Sequence, residues 1–212
     1  MDKRELAEKL LQEIEGIFPK AETELKNWET PFQFLITILL SAQTTDKQVN
    51  KVTKGLFDRY PTAKTLRKAD TKEIEKYIRS VNYFRTKARH IKETANILGR
   101  DFNGNPPKDL NKLMILPGVG YKTANVFLND LYKANQGIAV DTHVARVARA
   151  YGLTKEKDSN KIAKDLEKLY SKKDWYKVNS SFVLYGRYIL KAKRPEMKKV
   201  VFKEFLIRKE GN

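Results

Sequence analysis

The sequence contains no cysteine. That one absence excludes disulfides, thiolate zinc sites, a cysteine nucleophile and every cysteine-ligated iron–sulfur cluster. Histidine is almost as scarce. His90 and His143 are the whole supply, too few for a multi-histidine metal site and poor provision for a serine–histidine relay. Long apolar runs are missing as well. The most apolar stretch, Phe34 to Leu40, is far too short to span a bilayer. No apolar segment of the secretory type follows Met1-Asp2-Lys3-Arg4-Glu5. These absences lead to the expectation of a cytoplasmic protein with no membrane partner. No internal repeat, low-complexity tract or long linker marks a domain boundary.

Acidic residues are the minority charge. Against 43 Lys plus Arg stand 26 Asp plus Glu, a formal charge of +17 over 212 residues. Such an excess points to a polyanionic partner, nucleic acid foremost. Composition alone also fits ribosomal, membrane-surface or Lys-rich thermophilic chains. The apolar share is 41% and is spread along the whole chain, so a real core forms without staples.

The apolar spacing is helical nearly throughout. Leu6, Leu10, Leu11, Ile14, Ile17 and Phe18 share one face of a first helix. Thr30, Pro31 and Gln33 supply an N-cap, an N1 proline and a capping-box partner for a second, running through Leu40. That helix is apolar almost all round, which predicts a path through the core. A third carries Val49, Val52, Leu56 and Phe57; Asp70 with Glu73 caps a fourth. Ala88, Ile91, Ala95 and Leu98 mark another, ending near Gly99, and Asn103 to Pro107 reads as a loop. Later helices carry Ile162, Leu166 and Leu169, then Trp175, Val178, Phe182, Tyr185 and Ile189. Period-two alternation is nowhere sustained, so the predicted fold is all-α.

The most informative segment is Leu116-Pro117-Gly118-Val119-Gly120-Tyr121-Lys122-Thr123-Ala124-Asn125. It joins a short helix, Leu110 to Met114, to one carrying Val126, Phe127 and Leu131. A tight turn here would leave the N–H groups of Gly118, Val119 and Gly120 unpaired at a positive helix N-terminus, an anion site suited to phosphate. A plain helix–helix corner, with glycine for steric reasons, is the other reading of the same residues.

This segment resembles the hairpin of the helix–hairpin–helix DNA glycosylases, and that of endonuclease III more closely. Three further blocks match in order. Leu39-Leu40-Ser41-Ala42-Gln43-Thr44-Thr45-Asp46 resembles the lesion-side loop, and Val140-Asp141-Thr142-His143-Val144-Ala145-Arg146-Val147 the aspartate segment. Gly186-Arg187-Tyr188 resembles the stretch before the family's iron–sulfur loop. The resemblance implies two helical subdomains with the active-site cleft between them. One is a helical barrel over 24–134, the other both termini, 1–23 plus 135–212. It implies a monomeric enzyme that removes damaged, oxidised pyrimidines from double-stranded DNA and nicks the abasic strand. Rival readings are a glycosylase for thymine or uracil opposite guanine, and a non-catalytic helix–hairpin–helix DNA-binding protein.

By position, Lys122 matches the family's nucleophilic lysine and Asp141 its catalytic aspartate. A lysine amine can displace a base at C1′ and hold the sugar as a Schiff base, which permits β-elimination of the 3′ phosphate. From the residues alone, Lys122 could equally bind phosphate, and Asp141 could be only an N-cap. Gln43 matches the residue that fills the gap left by an extruded nucleotide. Tyr83 stands where the family usually has an aliphatic wedge; an aromatic there could stack on the orphaned base. The plainer readings are a helix-terminal polar residue and a core aromatic. His143 reads as a DNA contact or a structural hydrogen bonder. At the C-terminus the family's four cluster cysteines align with Leu190, Met197, Val200 and Leu206. The expectation is therefore no iron–sulfur cluster, with Met197, Val200, Val201 and Phe205 packing as an amphipathic helix. Lys193 and Arg194, with Lys191, Lys198 and Lys199 around them, would keep the basic face toward DNA. The one cofactor left open is a monovalent cation on hairpin backbone carbonyls.

Overall fold

Eleven α-helices account for most of the chain in the computed structural model, which describes residues 1–21 and 23–207; no strand occurs among the described residues. They are α1 (Lys3–Ile17), α2 (Pro31–Ser41), α3 (Asp46–Arg59), α4 (Ala63–Leu66), α5 (Thr71–Ile78), α6 (Phe84–Asp101), α7 (Leu110–Met114), α8 (Tyr121–Tyr132), α9 (Thr142–Ala150), α10 (Ser159–Leu169) and α11 (Trp175–Tyr188). No described helix is long and apolar enough to cross a membrane. The chain forms two compact units, Thr23–Tyr132 and Met1–Glu22 with Lys133–Asn212.

In the Thr23–Tyr132 unit, α2 is the central rod. Every residue from Phe32 to Leu40 is buried, as an all-round apolar helix requires. It touches α3, α6 and α8, while α5 bridges α3 and α6, and α4 and α7 pack on α6 and α8. Thr30 caps α2 through the Gln33 amide. The expected reciprocal capping box does not close. The Gln33 side chain accepts instead from the Glu29 amide at 2.7 Å and donates to the Pro61 carbonyl. Asp70 likewise caps α5, but Glu73 accepts the Tyr60 hydroxyl rather than a cap amide. Helix α6 runs past Gly99 to Asp101. Gly99 is not a stop but a close approach, since a Cβ there would lie 2.8 Å from the Arg67 guanidinium. The stop comes at Asn103 and Gly104, both at positive φ, where the Gly104 amide returns to the Leu98 carbonyl.

In the other unit, α11 packs on α9 and α1, and α10 on α1 and α9. Fully buried Phe182 and Tyr185 fill its centre. The amphipathic helix expected around Val200 does not form. Two short 3₁₀ turns, Met197–Lys199 and Lys203–Phe205, flank extended Val200 and left-handed Phe202. The physical reason lies across the chain. The Tyr185 hydroxyl accepts from the Val201 amide, and the Tyr151 hydroxyl donates to the Val201 carbonyl. Those bonds replace the i, i+4 ladder a helix would need.

Candidate active site

Between α7 and α8 the chain makes a type II turn. Pro117 occupies its second position, Gly118 its third with φ 79°, and the Val119 amide closes it on the Leu116 carbonyl at 3.0 Å. Gly118 is doubly constrained, because a Cβ would also meet His90 Nδ1 at 2.8 Å and Leu39 at 3.3 Å. The expectation of three unpaired amides is therefore corrected to two. Val119 uses its N–H inside the turn, and its side chain, 5% exposed, is an anchor. The amides of Gly118 and Gly120 donate to no acceptor among the described residues. Gly120 has a negative φ, and a Cβ placed on it would meet nothing within 4 Å. The protein itself makes no demand for glycine there. Two amides without a protein acceptor at the N-terminal end of α8 suit an anion. Lys122 follows in the first turn of α8, exposed and without an ion-pair partner among the described residues.

Asp141 belongs to the other unit and caps α9. Its Oδ1 accepts from the His143 and Val144 amides at 2.8 and 2.9 Å. Its Oδ2 has no hydrogen-bond partner among the described residues, so one oxygen is fixed by the cap and the other accepts no protein hydrogen bond. His143 is half-buried. Its Nδ1 takes a hydrogen bond from Arg146 at 3.0 Å; a guanidinium only donates, so the ring proton sits on Nε2. Its backbone also packs tightly under α11, where a Cβ on Gly186 would fall 3.0 Å away. Structural bonding thus occupies one ring nitrogen and leaves the other as a donor.

Arg146 has a role that no sequence motif signals. Besides His143 it donates to the carbonyls of Gly186 and Leu190, stitching α9 to the end of α11 and the segment beyond. Burial pulls its guanidinium below the ordinary value, against the opposing pull of the Asp141 carboxylate. Its two carbonyl partners lie about forty residues away, a distance at which no periodic pattern can signal a contact.

Gln43 and Tyr83 occupy two neighbouring turns of the Thr23–Tyr132 unit. Both have left-handed backbone, at φ 54° and 58°, and both are exposed, Tyr83 by 65%. Tyr83 is therefore no core aromatic. Left-handed backbone costs a non-glycine residue about 1–2 kcal/mol, so each turn carries strain that glycine would relieve.

At the C-terminal positions matching the cluster cysteines, Leu190 and Val200 are buried, Leu206 is half-buried and Met197 is 45% exposed. None offers a thiolate, and the backbone around them is committed to Arg146, Tyr151 and Tyr185. These residues do not fit an iron–sulfur cluster. Lys193 and Arg194 are exposed on this segment, Arg194 at φ 53°.

Comparison with known proteins agrees on one family. Residues 36–172 match the HhH-GPD superfamily base excision DNA repair protein family. Endonuclease III of Synechocystis sp. is 39% identical over 193 residues, 91% of this chain and 88% of that protein. Its counterpart from Bacillus subtilis is 38% identical, covering 87% and 84% of the two chains. A trapped endonuclease III–DNA covalent intermediate superposes with a TM-score of 0.90 at 37% identity, over 97% of this chain and 96% of that one. A thermostable thymine-DNA glycosylase superposes at 0.80 with 21% identity, a likeness of fold alone. The chain belongs to the HhH-GPD superfamily of base excision DNA repair proteins, as a member of its endonuclease III family.

Proposed function

We propose that this protein is a DNA glycosylase with abasic-site lyase activity that removes oxidised pyrimidines from duplex DNA, with Lys122 as nucleophile and Asp141 as its charged partner. The observation that carries the reading is Lys122 itself: an exposed, unpaired amine in the first turn behind two outward amides. In a purely phosphate-binding hairpin, the amides alone would suffice.

The chemistry follows from those groups. The neutral amine of Lys122 attacks C1′, the glycosidic bond breaks, and the base leaves with its electron pair and takes up a proton. The Asp141 carboxylate supplies negative charge to stabilise the positive charge that develops on the sugar, and the two amides on Oδ1 keep it from rotating. The amine loses a proton and the sugar ring opens to give the protonated imine. Loss of a C2′ proton then expels the 3′ phosphate, and water releases the unsaturated sugar and regenerates Lys122. Gln43 and Tyr83 enter the space vacated by the extruded nucleotide and offset part of the lost stacking. The Gly118 and Gly120 amides hold a backbone phosphate, and Nε2 of His143, Lys193 and Arg194 add contacts along the duplex. Such an enzyme works in the cytoplasm on nucleoid DNA.

The test is a panel of defined duplexes, each carrying one abasic site, thymine glycol, uracil or G·T mismatch. Excision and nicking at thymine glycol, with borohydride trapping that Lys122→Ala abolishes, is the expected result. Excision confined to uracil or the mismatch, or binding with no cleavage, would replace this reading.

A further inference from the structure

The two turns that carry Gln43 and Tyr83 are bound to each other by side chains that neither composition nor resemblance singles out. The Asn82 carboxamide donates to the Gln43 carbonyl, and the Asn82 amide donates to Thr44 Oγ1 at 3.2 Å. Lys87, from the first turn of α6, reaches 45 residues or so back along the sequence. Its ammonium donates to the carbonyls of Leu40 at 2.7 Å and Ala42 at 2.6 Å, and to Thr44 Oγ1 at 3.1 Å. Three N–H donors thus meet three acceptors, with none left over. The carbonyls belong to the C-terminal end of α2, which has no basic residue in its own last turn. A cation there complements the negative end of the helix dipole.

We infer that Asn82 and Lys87 are positioning residues for base extrusion, joining the Gln43 and Tyr83 turns into one pre-formed wedge. The inference rests on the proposed roles of Gln43 and Tyr83. Two features point to position rather than packing. First, both wedge residues sit at positive φ, so each turn would relax if released. A clamp between the turns is what keeps a strained pair in register. Second, Lys87 is only 7% exposed and has no carboxylate partner among the described residues, and burial brings its pKa down to about 8. An apolar side chain of similar volume would fill that space more cheaply than a lone ammonium. What such a side chain could not do is hold three oxygens of the segment around Gln43 from the first turn of the helix that begins beside Tyr83.

The balance for a glycosylase is clear. A rigid wedge has its ordering entropy removed before DNA arrives, so more of its contact energy goes into extruding the nucleotide. Loosening the clamp should therefore affect base excision while sparing chemistry on a site that already lacks its base.

The experiment uses the full chain and two duplexes. One carries thymine glycol beside 2-aminopurine, whose emission reports unstacking; the other carries a preformed abasic site. Asn82→Ala is the primary variant, because Asn82 is exposed and its loss leaves the core intact. Lys87→Met is the second. The expected result is a fall of roughly tenfold to a hundredfold in kcat for excision, with a diminished 2-aminopurine signal. KM and borohydride trapping at the abasic site should stay within about twofold of the parent. Gln43→Ala and the double variant Asn82→Ala/Gln43→Ala complete a cycle. If Asn82 acts through Gln43, the double variant is no slower than Gln43→Ala alone. Fully additive losses would overturn the positioning role, as would normal excision by Asn82→Ala when Gln43→Ala is impaired. Normal excision by both Gln43→Ala and Tyr83→Ala would show instead that the wedge assignment itself is wrong. Should Lys87→Met fail to fold, the Asn82 cycle decides alone.

Discussion

The hairpin and the C-terminal segment are built on opposite plans, although both are expected to touch DNA. The hairpin withholds its amides: only Val119 closes the turn, and Gly118 and Gly120 stay outward. The C-terminal segment commits several of its amides to the protein. Those of Leu190, Glu196, Lys199 and Ile207 return to protein carbonyls, and that of Val201 goes to Tyr185. It presents charge instead, with Lys193, Arg194, Lys198 and Lys199 all exposed. Neutral amides recognise a phosphate by direction and distance. Lysines and arginines recognise it by charge, with little demand on geometry. The hairpin should therefore fix where the DNA sits, and the C-terminal segment should raise how often it stays.

The comparison breaks most visibly at the nucleophile. Lys122→Ala should abolish the borohydride-trapped adduct on abasic-site duplex while leaving binding close to normal, because Lys122 is not needed to shape the turn. Undiminished trapping would move the Schiff base to another amine, and the segment's own lysines would be the first suspects. Asp141→Asn should retain DNA binding and the α9 cap, since an amide oxygen can accept the same two N–H groups. Its base excision should nevertheless fall by about 10²-fold or more. Excision near the parental rate would leave Asp141 as a cap and nothing else.

Much of the hairpin was legible because its structure is local. Proline then glycine is the signature of a type II turn, and the positive φ of Gly118 obeys it. The Thr30–Pro31 start of α2 was legible for the same reason. The C-terminal segment was not. Met197, Val200, Val201 and Phe205 are spaced like a helix face, but the backbone answers to Tyr151 and Tyr185, which lie 50 and 16 residues from Val201. Gly99 resembles a helix end in the sequence because an in-helix glycine and a C-cap glycine look alike; only the Arg67 side chain packed against it distinguishes them. Lys87 and Asn82 escaped for a related reason. One surface-type lysine among many, and one asparagine in a loop, gain meaning only from acceptors some forty residues away. Chemistry carried by short motifs could be read directly; the groups that orient that chemistry could not.

Stability sharpens the contrast next. Val200 is 5% exposed in a segment held by tyrosine hydroxyls rather than by metal-ligating side chains. Val200→Asp places a carboxylate there without a partner and should destabilise the protein by about 3 kcal/mol, read from urea unfolding. Tyr185→Phe removes the acceptor of the Val201 amide and should cost roughly 1–2 kcal/mol. The parent should hold less than stoichiometric iron by elemental analysis and keep its activity in chelator. Stoichiometric iron, or a Val200→Asp protein as stable as the parent, would show that this staple is not what holds the segment.

The smallest effects separate the two plans most cleanly. Gly120→Ala adds a methyl into open space, so the fold should be untouched. A phosphate brought against the Gly118 and Gly120 amides would meet that methyl, and affinity for duplex should fall roughly tenfold, about 1.4 kcal/mol. Because an amide releases no counterion, the loss should be the same at 50 and at 200 mM salt. The double change Lys193→Ala/Arg194→Ala should behave differently. The parental protein, with about 6 to 10 phosphate contacts, should lose 10³ to 10⁵ in affinity over that salt range. Removing two cations that neutralise phosphates should lower the slope of log affinity against log salt by about 2. The deficit should be largest in dilute salt and shrink as salt rises. Parallel salt lines for this variant and the parent would mean that Lys193 and Arg194 do not meet phosphate. A changed slope in Gly120→Ala would mean that the hairpin orients a cation onto the DNA rather than binding phosphate through its own amides.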